Sequence, residues 1–119
     1  ERPVNVGIAT DVAGGTSYSM LQTLGEAYKV AMLKGRKLTA YDGFYLATLG
    51  NARGLGMECD IGSLAQGTCA DLVVLDPVAT DVLAARNELS ETLEDALFAL
   101  MMLGDDRAVH AVYIKGQRQ

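Results

Sequence analysis

Apolar positions along this chain follow a helical rhythm in its first half and fall into short strand-like runs in its second. Residues 4–9, VNVGIA, are a brief apolar run that predicts a strand, leading to the acid Asp11 and then the paired glycines Gly14 and Gly15. Leu21, Leu24, Tyr28, Ala31 and Met32 recur at helical spacing, with Thr16 or Ser17 as the expected cap and an end near Lys34 and Gly35. Thr39 with Asp42 has capping-box spacing, with Asp where Glu is commoner. It predicts a second helix presenting Phe44, Tyr45, Leu49 and Ala52 before Gly54 and Gly56.

From Met57 the pattern changes to short strands and glycine turns. Residues 61–64 lead through Gln66 and Gly67 to residues 70–76, ADLVVLD, whose apolar, β-branched run predicts a buried strand ended by Pro77. Residues 80–88 predict one or two helical turns. Ser90 is the expected cap of a firmer helix with the stripe Leu93, Leu97, Leu100 and Met101, closed by Gly104. A last strand near residues 109–114, meeting a turn at Lys115 and Gly116, has residues 72–75 as its expected partner. The class is α/β, a small sheet partly covered by helices.

Composition narrows the function classes. The 119 residues are half apolar, enough for one modest core, and neither a disordered nor a collagen-like chain fits. Ten basic against fifteen acidic residues give a net charge of −5, which argues against a non-specific grip on nucleic acid. No apolar run approaches the roughly 18 residues of a membrane span, and the first residues carry no basic-plus-apolar signal pattern. No membrane partner and a cytoplasmic location are therefore expected. Cys59 and Cys69, ten residues apart with one histidine in the chain, signal neither a zinc cluster nor a disulfide framework and read as two reduced thiols. The start without methionine, almost directly in a strand, gives the expectation of a piece of something larger.

Asp11 is the clearest candidate for chemistry. It stands at the carboxyl end of the expected first strand, the edge where parallel α/β folds place ligand sites, and glycines follow that let the chain turn sharply. Taken alone, an Asp here is more often a turn or cap acid than a base. No GK[ST] follows Gly14 and Gly15, so a turn accounts for them better than a phosphate cradle. Asp105, Asp106 and Arg107, after a helix end, read as a polar turn with local ion pairing rather than a metal site. His110 reads as an ordinary, partly exposed strand residue. The methionines at 20, 32, 101 and 102 read as core filler.

Residues 10–20, TDVAGGTSYSM, resemble the segment after the eighth barrel strand of guanine deaminases, members of the amidohydrolase superfamily. Ala47-Thr48-Leu49-Gly50 with Ala52-Arg53 and Leu55-Gly56 is similar to the next helix of that family, and residues 103–107, LGDDR, to its C-terminal motif. Residues 61–64 with Gly67 and residues 70–76 resemble the IGxLxxGxxADLVVLD signature of the wider superfamily. Thr68 stands where many members have lysine, at an expected surface turn.

The resemblance implies a (β/α)8 barrel with a small β-sandwich. Residues 1–56 would be the last barrel strand and two helices, 57–76 strands of the small β domain, 77–104 a helical segment packed on the barrel, and 105–119 the last strand of the β domain. A whole barrel needs roughly 250 residues, so only a C-terminal portion would be present. The implied activity is zinc-dependent hydrolytic deamination of guanine to xanthine and ammonia. Asp11 would be both the water-activating carboxylate and a zinc ligand or near-ligand, in a parent enzyme that is a homodimer. The histidine ligands and proton-shuttling glutamate of that family are not matched in this chain, so the 119 residues alone are expected to be inactive. Two other readings remain open: a deaminase of another nucleobase or related heterocycle, and a non-catalytic α/β interaction module.

Overall fold

Hydroxyl caps and short sharp turns divide the chain into helices and one small sheet. The computed structural model describes residues 4–119, so the first three residues of the 1–56 segment lie outside the described residues. Helix α1 (Met20–Leu33) starts at Ser19, whose Oγ accepts from Gln22 N–H, and it ends at Lys34 with Gly35 at φ +67°. The cap therefore lies beyond Thr16 and Ser17. Ser17 Oγ instead accepts from Ser19 N–H at 3.0 Å and shapes the approach to the helix.

Helix α2 (Ala40–Ala47) opens with the expected box. Asp42 N–H donates to Thr39 Oγ1 at 3.1 Å, and Thr39 N–H donates back to the Asp42 carboxylate at 3.2 Å. The expected single second helix is in fact two, because Thr48 leaves helical geometry at φ −121°, ψ −98° before α3 (Leu49–Leu55). Its hydroxyl donates to Phe44 O at 2.7 Å, a local bond that competes with the helical ladder. Gly56, left-handed, closes α3.

Helix α4 (Asp81–Asn87) is capped by Thr80, and α5 (Leu93–Leu103) by Thr92 in a second capping box with Asp95. Ser90 is not the cap of α5; its hydroxyl is buried without a hydrogen-bond partner among the described residues. Gly104 ends α5 as expected. Strands β1 (Leu72–Leu75), β2 (Val109–Ile114) and β3 (Gln117–Arg118) form an antiparallel sheet in that order. Leu72 faces Tyr113 and Val74 faces Ala111, with a register shift before Leu75 opposite Val109. Lys115 and Gly116, both at positive φ, make the two-residue turn into β3.

Three strand expectations need correction. Residues 4–9 carry no regular secondary structure, because a strand is defined by its pairing and no partner strand lies beside them among the described residues. Residues 61–64 are likewise turn, since Gly62 at φ +88° brings its backbone against Ala52 and Leu49 of α3. The third concerns β1, which is only half-buried: the successive residues Val73 and Val74, whose side chains point to opposite faces of the strand, are 54% and 38% exposed.

The core lies between helices and sheet. Leu21, Leu83, Ala99, Leu100 and Ala108 are its buried centre, flanked by Phe44, Leu75 and Ala79. Tyr28 of α1 meets Phe98 of α5 edge-on at 5.2 Å between ring centroids. Of the helix methionines, Met101 is fully buried, whereas Met32 is half-exposed near the end of α1. The accessible surface is 8322 Å², against about 6,200 Å² expected for a compact monomer of this mass. A substantial apolar surface is thus left open. No helix among the described residues is long and apolar enough to cross a membrane.

Candidate functional site

The chain between residue 4 and α1 is where the candidate carboxylate stands. Asp11 has φ +50° and Ala13 φ +80°, two non-glycine residues in the left-handed region within one turn. Such conformations cost of order 1–3 kcal/mol each and gather at functional sites. The turn is closed by the Asp11 carbonyl, which accepts from Gly14 N–H at 2.9 Å and from Gly15 N–H at 2.5 Å.

Neither glycine has positive φ, and it is Gly15 that close approach to backbone requires, whereas Gly14 faces the movable Asp11 carboxylate. A Cβ on Gly15 would collide with the carbonyl oxygen of Thr10, and one on Gly14 would lie 2.6 Å from Asp11 Oδ2. The paired glycines thus let the backbone fold under the Asp11 carboxylate, which remains exposed to solvent. A concavity of about 110 Å³ lies over the residues that follow, lined by Val12, Ala13, Gly15, Thr16, Ser17 and Tyr18, and Asp11 does not line it.

Both ends of the turn are anchored by hydrogen bonds. Downstream, Ser17 orders Ser19, and Thr23 Oγ1 donates to Ser19 O at 2.9 Å. Upstream, Asn51 Nδ2 donates to Ile8 O at 2.8 Å, and Ile8 N–H donates to Leu46 O at 3.4 Å. The anchor Asn51 was missed in the sequence reading. Its one local signal is an asparagine inside what the apolar spacing predicts as one continuous helix, where its intrinsic propensity is poor; in the structure it stands in the first turn of α3.

The remaining candidates are not brought to Asp11 as a metal site. Among the described residues no group of three or more His, Cys, Asp or Glu is arranged to hold a metal ion. His110 is exposed on β2, and Cys59 and Cys69 are free thiols. Asp105 and Arg107 form the expected local pair, at 2.6 Å, and hydrogen bonding from Arg107 holds the Asp105 carboxyl below its ordinary value. A larger cavity of about 390 Å³ lies between α1 and α5, lined in part by Tyr28, Met32, Arg36, Lys37, Glu94 and Phe98. Asp11 does not line it.

The amidohydrolase family model matches residues 1–118. The chain belongs to the amidohydrolase family. Guanine deaminase of Escherichia coli K12 is 48% identical over 117 residues, covering 98% of this chain and 27% of that protein. This amidohydrolase chain therefore spans about a quarter of the length of that relative. The solved E. coli guanine deaminase superposes with a TM-score of 0.94 over 98% of the chain and 27% of its own. Guanine deaminase from Bradyrhizobium japonicum gives 0.88 at 33% identity, over 96% of this chain and 30% of its own. An adenosine deaminase from Xanthomonas campestris, solved with bound zinc, gives 0.65 at 26% identity, over 83% and 21%. The amidohydrolase resemblance of the Asp11 turn and the 61–76 signature thus extends over the whole chain.

Proposed function

We propose that this chain is part of a guanine deaminase, in which Asp11 is the carboxylate that orients and deprotonates the attacking water. The observation that carries the reading is the 48% identity to E. coli guanine deaminase over nearly the whole chain. The geometry of the turn supports it: a strained backbone and two close-packed glycines present one exposed carboxylate. In this role an Asp11 carboxylate oxygen takes a proton from water as the water oxygen bonds to the purine carbon bearing the amine. That proton leaves with the amine as ammonia, and the ring product is xanthine. General-base assistance of this kind contributes roughly 10²–10⁴-fold.

Zinc is the metal the reading implies, with Asp11 as a ligand or near-ligand. The residues described here do not make a zinc site by themselves, since one carboxylate is not a coordination sphere. The other ligands would come from residues outside this chain, and the 119 residues alone are inactive. In the same reading residues 1–56 close a (β/α)8 barrel, 57–76 and 105–119 belong to a small β-sandwich, and 77–104 pack on the barrel. The exposed Val73 and Val74 of β1 and the large accessible surface support further layers around this chain. The whole enzyme is cytoplasmic, homodimeric and purine-catabolic.

A second reading keeps the reaction and changes the substrate. A deaminase of methylthioadenosine and S-adenosylhomocysteine from Symbiobacterium thermophilum is 41% identical over 80 residues, 61% of this chain. The test is turnover of guanine, adenine and cytosine by the natural gene product carrying these residues. Guanine is the expected substrate, with turnover falling by roughly 10²–10⁴-fold in Asp11→Asn. Preference for adenine or cytosine overturns the guanine assignment, and guanine turnover by the metal-loaded 119-residue chain overturns its inactivity alone.

A further inference from the structure

We propose that Asn51 is a positioning residue for Asp11, acting through the backbone of residues 7–10; the inference rests on the catalytic reading of Asp11. Asn51 Nδ2 donates to Ile8 O at 2.8 Å across 43 residues of sequence, and to the carbonyl of Ala47, the last residue of α2, at 3.3 Å. One side-chain amide thereby ties α3 to the chain three residues before the carboxylate. The contact is close-packed as well as hydrogen-bonded. A Cβ on Gly7 would collide with Asn51 Oδ1, and Asn51 Cα lies 3.3 Å from that same position, so residue 7 must be glycine for the amide to seat.

Few other ties fix this segment. Among the described residues they are the longer Ile8 N–H bond to Leu46 O, 3.4 Å, and Asn5 Nδ2 to Arg53 O, 3.5 Å. Val4 and Val6 are 83% and 61% exposed and Ile8 is only partly buried, so side-chain burial within this chain holds it weakly. The Asn51 amide is the shortest of these bonds and the one nearest Asp11 that reaches a helix. Losing it frees the base of the strained turn, and a misplacement of about 1 Å at a reacting group can cost 10²-fold in rate.

The natural gene product carrying these residues is assayed with guanine as wild type, Asn51→Asp, Asn51→Ala, Gly7→Ala, and Gly7→Ala with Asn51→Ala. Asn51→Asp keeps the side-chain shape and removes the donor. It is expected to lower kcat by about 10–100-fold while KM stays within about threefold, since substrate contacts are not altered. Gly7→Ala pushes on the same amide from the other side and is expected to lower kcat similarly. The double variant loses less than the product of Gly7→Ala and Asn51→Ala measured singly, because both break one contact. A kcat within about twofold of wild type in Asn51→Asp, with only the thermal midpoint lowered, overturns the proposal and leaves Asn51 a structural residue. Fully multiplicative losses overturn it too. If Asp11→Asn itself retains turnover, the catalytic reading of Asp11 fails instead.

Discussion

Residues 4–18 and the packed body that follows them are held by different physics. In the body, Leu24, Leu83 and Met101 are fully buried, and helices α1, α2, α4 and α5 meet the sheet around one apolar cluster. In residues 4–18, Val4, Val6, Val12 and Tyr18 stand 61–83% exposed, and order comes from side-chain-to-backbone bonds and close glycine contacts. The segment that carries the candidate chemistry therefore contributes little to the core. Stability and function are separable here, and substitutions in the two regions are expected to fail in different ways.

The largest effect on folding belongs to the body. Leu83 has no accessible surface and sits in the central cluster. Leu83→Ala removes buried methyl groups and leaves a cavity, with an expected loss of about 2–5 kcal/mol. Val6→Ala, on an exposed position, is expected to stay within about 0.5 kcal/mol. Chemical denaturation of both variants measures the contrast. Equal losses would mean that residues 4–18 are part of the cooperative core.

A smaller free-energy effect, confined to the site, is expected at Gly14. A methyl there lies 2.6 Å from Asp11 Oδ2, so the carboxylate must move while the helices behind it need not. Gly14→Ala is predicted to lower guanine turnover about 100-fold, equivalent to about 2.7 kcal/mol of barrier, with an unchanged thermal midpoint. Steady-state kinetics beside a thermal melt read the two quantities. A fallen midpoint with intact kcat would put Gly14 in the structural region.

What the sequence shows of the fold depends on how local each interaction is. Thr39 and Asp42 are three residues apart and form their box as read, and the Lys115-Gly116 turn and the β1–β2 pairing also follow the pattern. The caps of α1 and α5 slipped by two or three residues because several hydroxyls stand in a row. At α5 the Thr92-to-Asp95 spacing was the better signal than Ser90. The break at Thr48 depends on which carbonyl its hydroxyl finds, Phe44 O, and periodicity does not encode that. Strand pairing is non-local, so an apolar run at residues 4–9 reads the same with or without neighbours. At the site, Asp11 and its glycines are adjacent and legible, whereas Asn51 is 43 residues from Ile8 and leaves only an asparagine within the predicted second helix as a sign.

The two capping boxes sharpen the comparison at lower energy, because they belong wholly to the body. Thr92 Oγ1 accepts from Asp95 N–H at 3.2 Å at the start of α5, the helix that packs on α1, α2 and α4. Thr92→Ala is expected to cost about 1 kcal/mol of stability, and Thr39→Ala a similar amount at α2. Neither variant is expected to change kcat for guanine. Urea midpoints measured alongside kinetics check this, and a lost kcat would show that the body steers the Asp11 turn through helix placement.

The smallest expected effect is the acid response of the same boxes. Hydrogen bonds from the Thr39 hydroxyl and then its backbone N–H hold the Asp42 carboxyl below its ordinary value of 3.8, and Thr92 does the same for Asp95. A carboxyl whose folded pKa is depressed binds fewer protons folded than unfolded, so its stabilisation is fully present above the unfolded value. It is lost as pH falls through the lower, folded value. Both groups are solvent-exposed, which keeps the contribution small. Asp42→Asn with Asp95→Asn is therefore expected to melt slightly below wild type at about pH 6, with the gap closing as pH drops below about 4. Thermal melts across that range test it. A gap that widens toward acid would mean that the ionised carboxylates do not stabilise the helix starts, and that the body's capping owes its strength to the threonines alone.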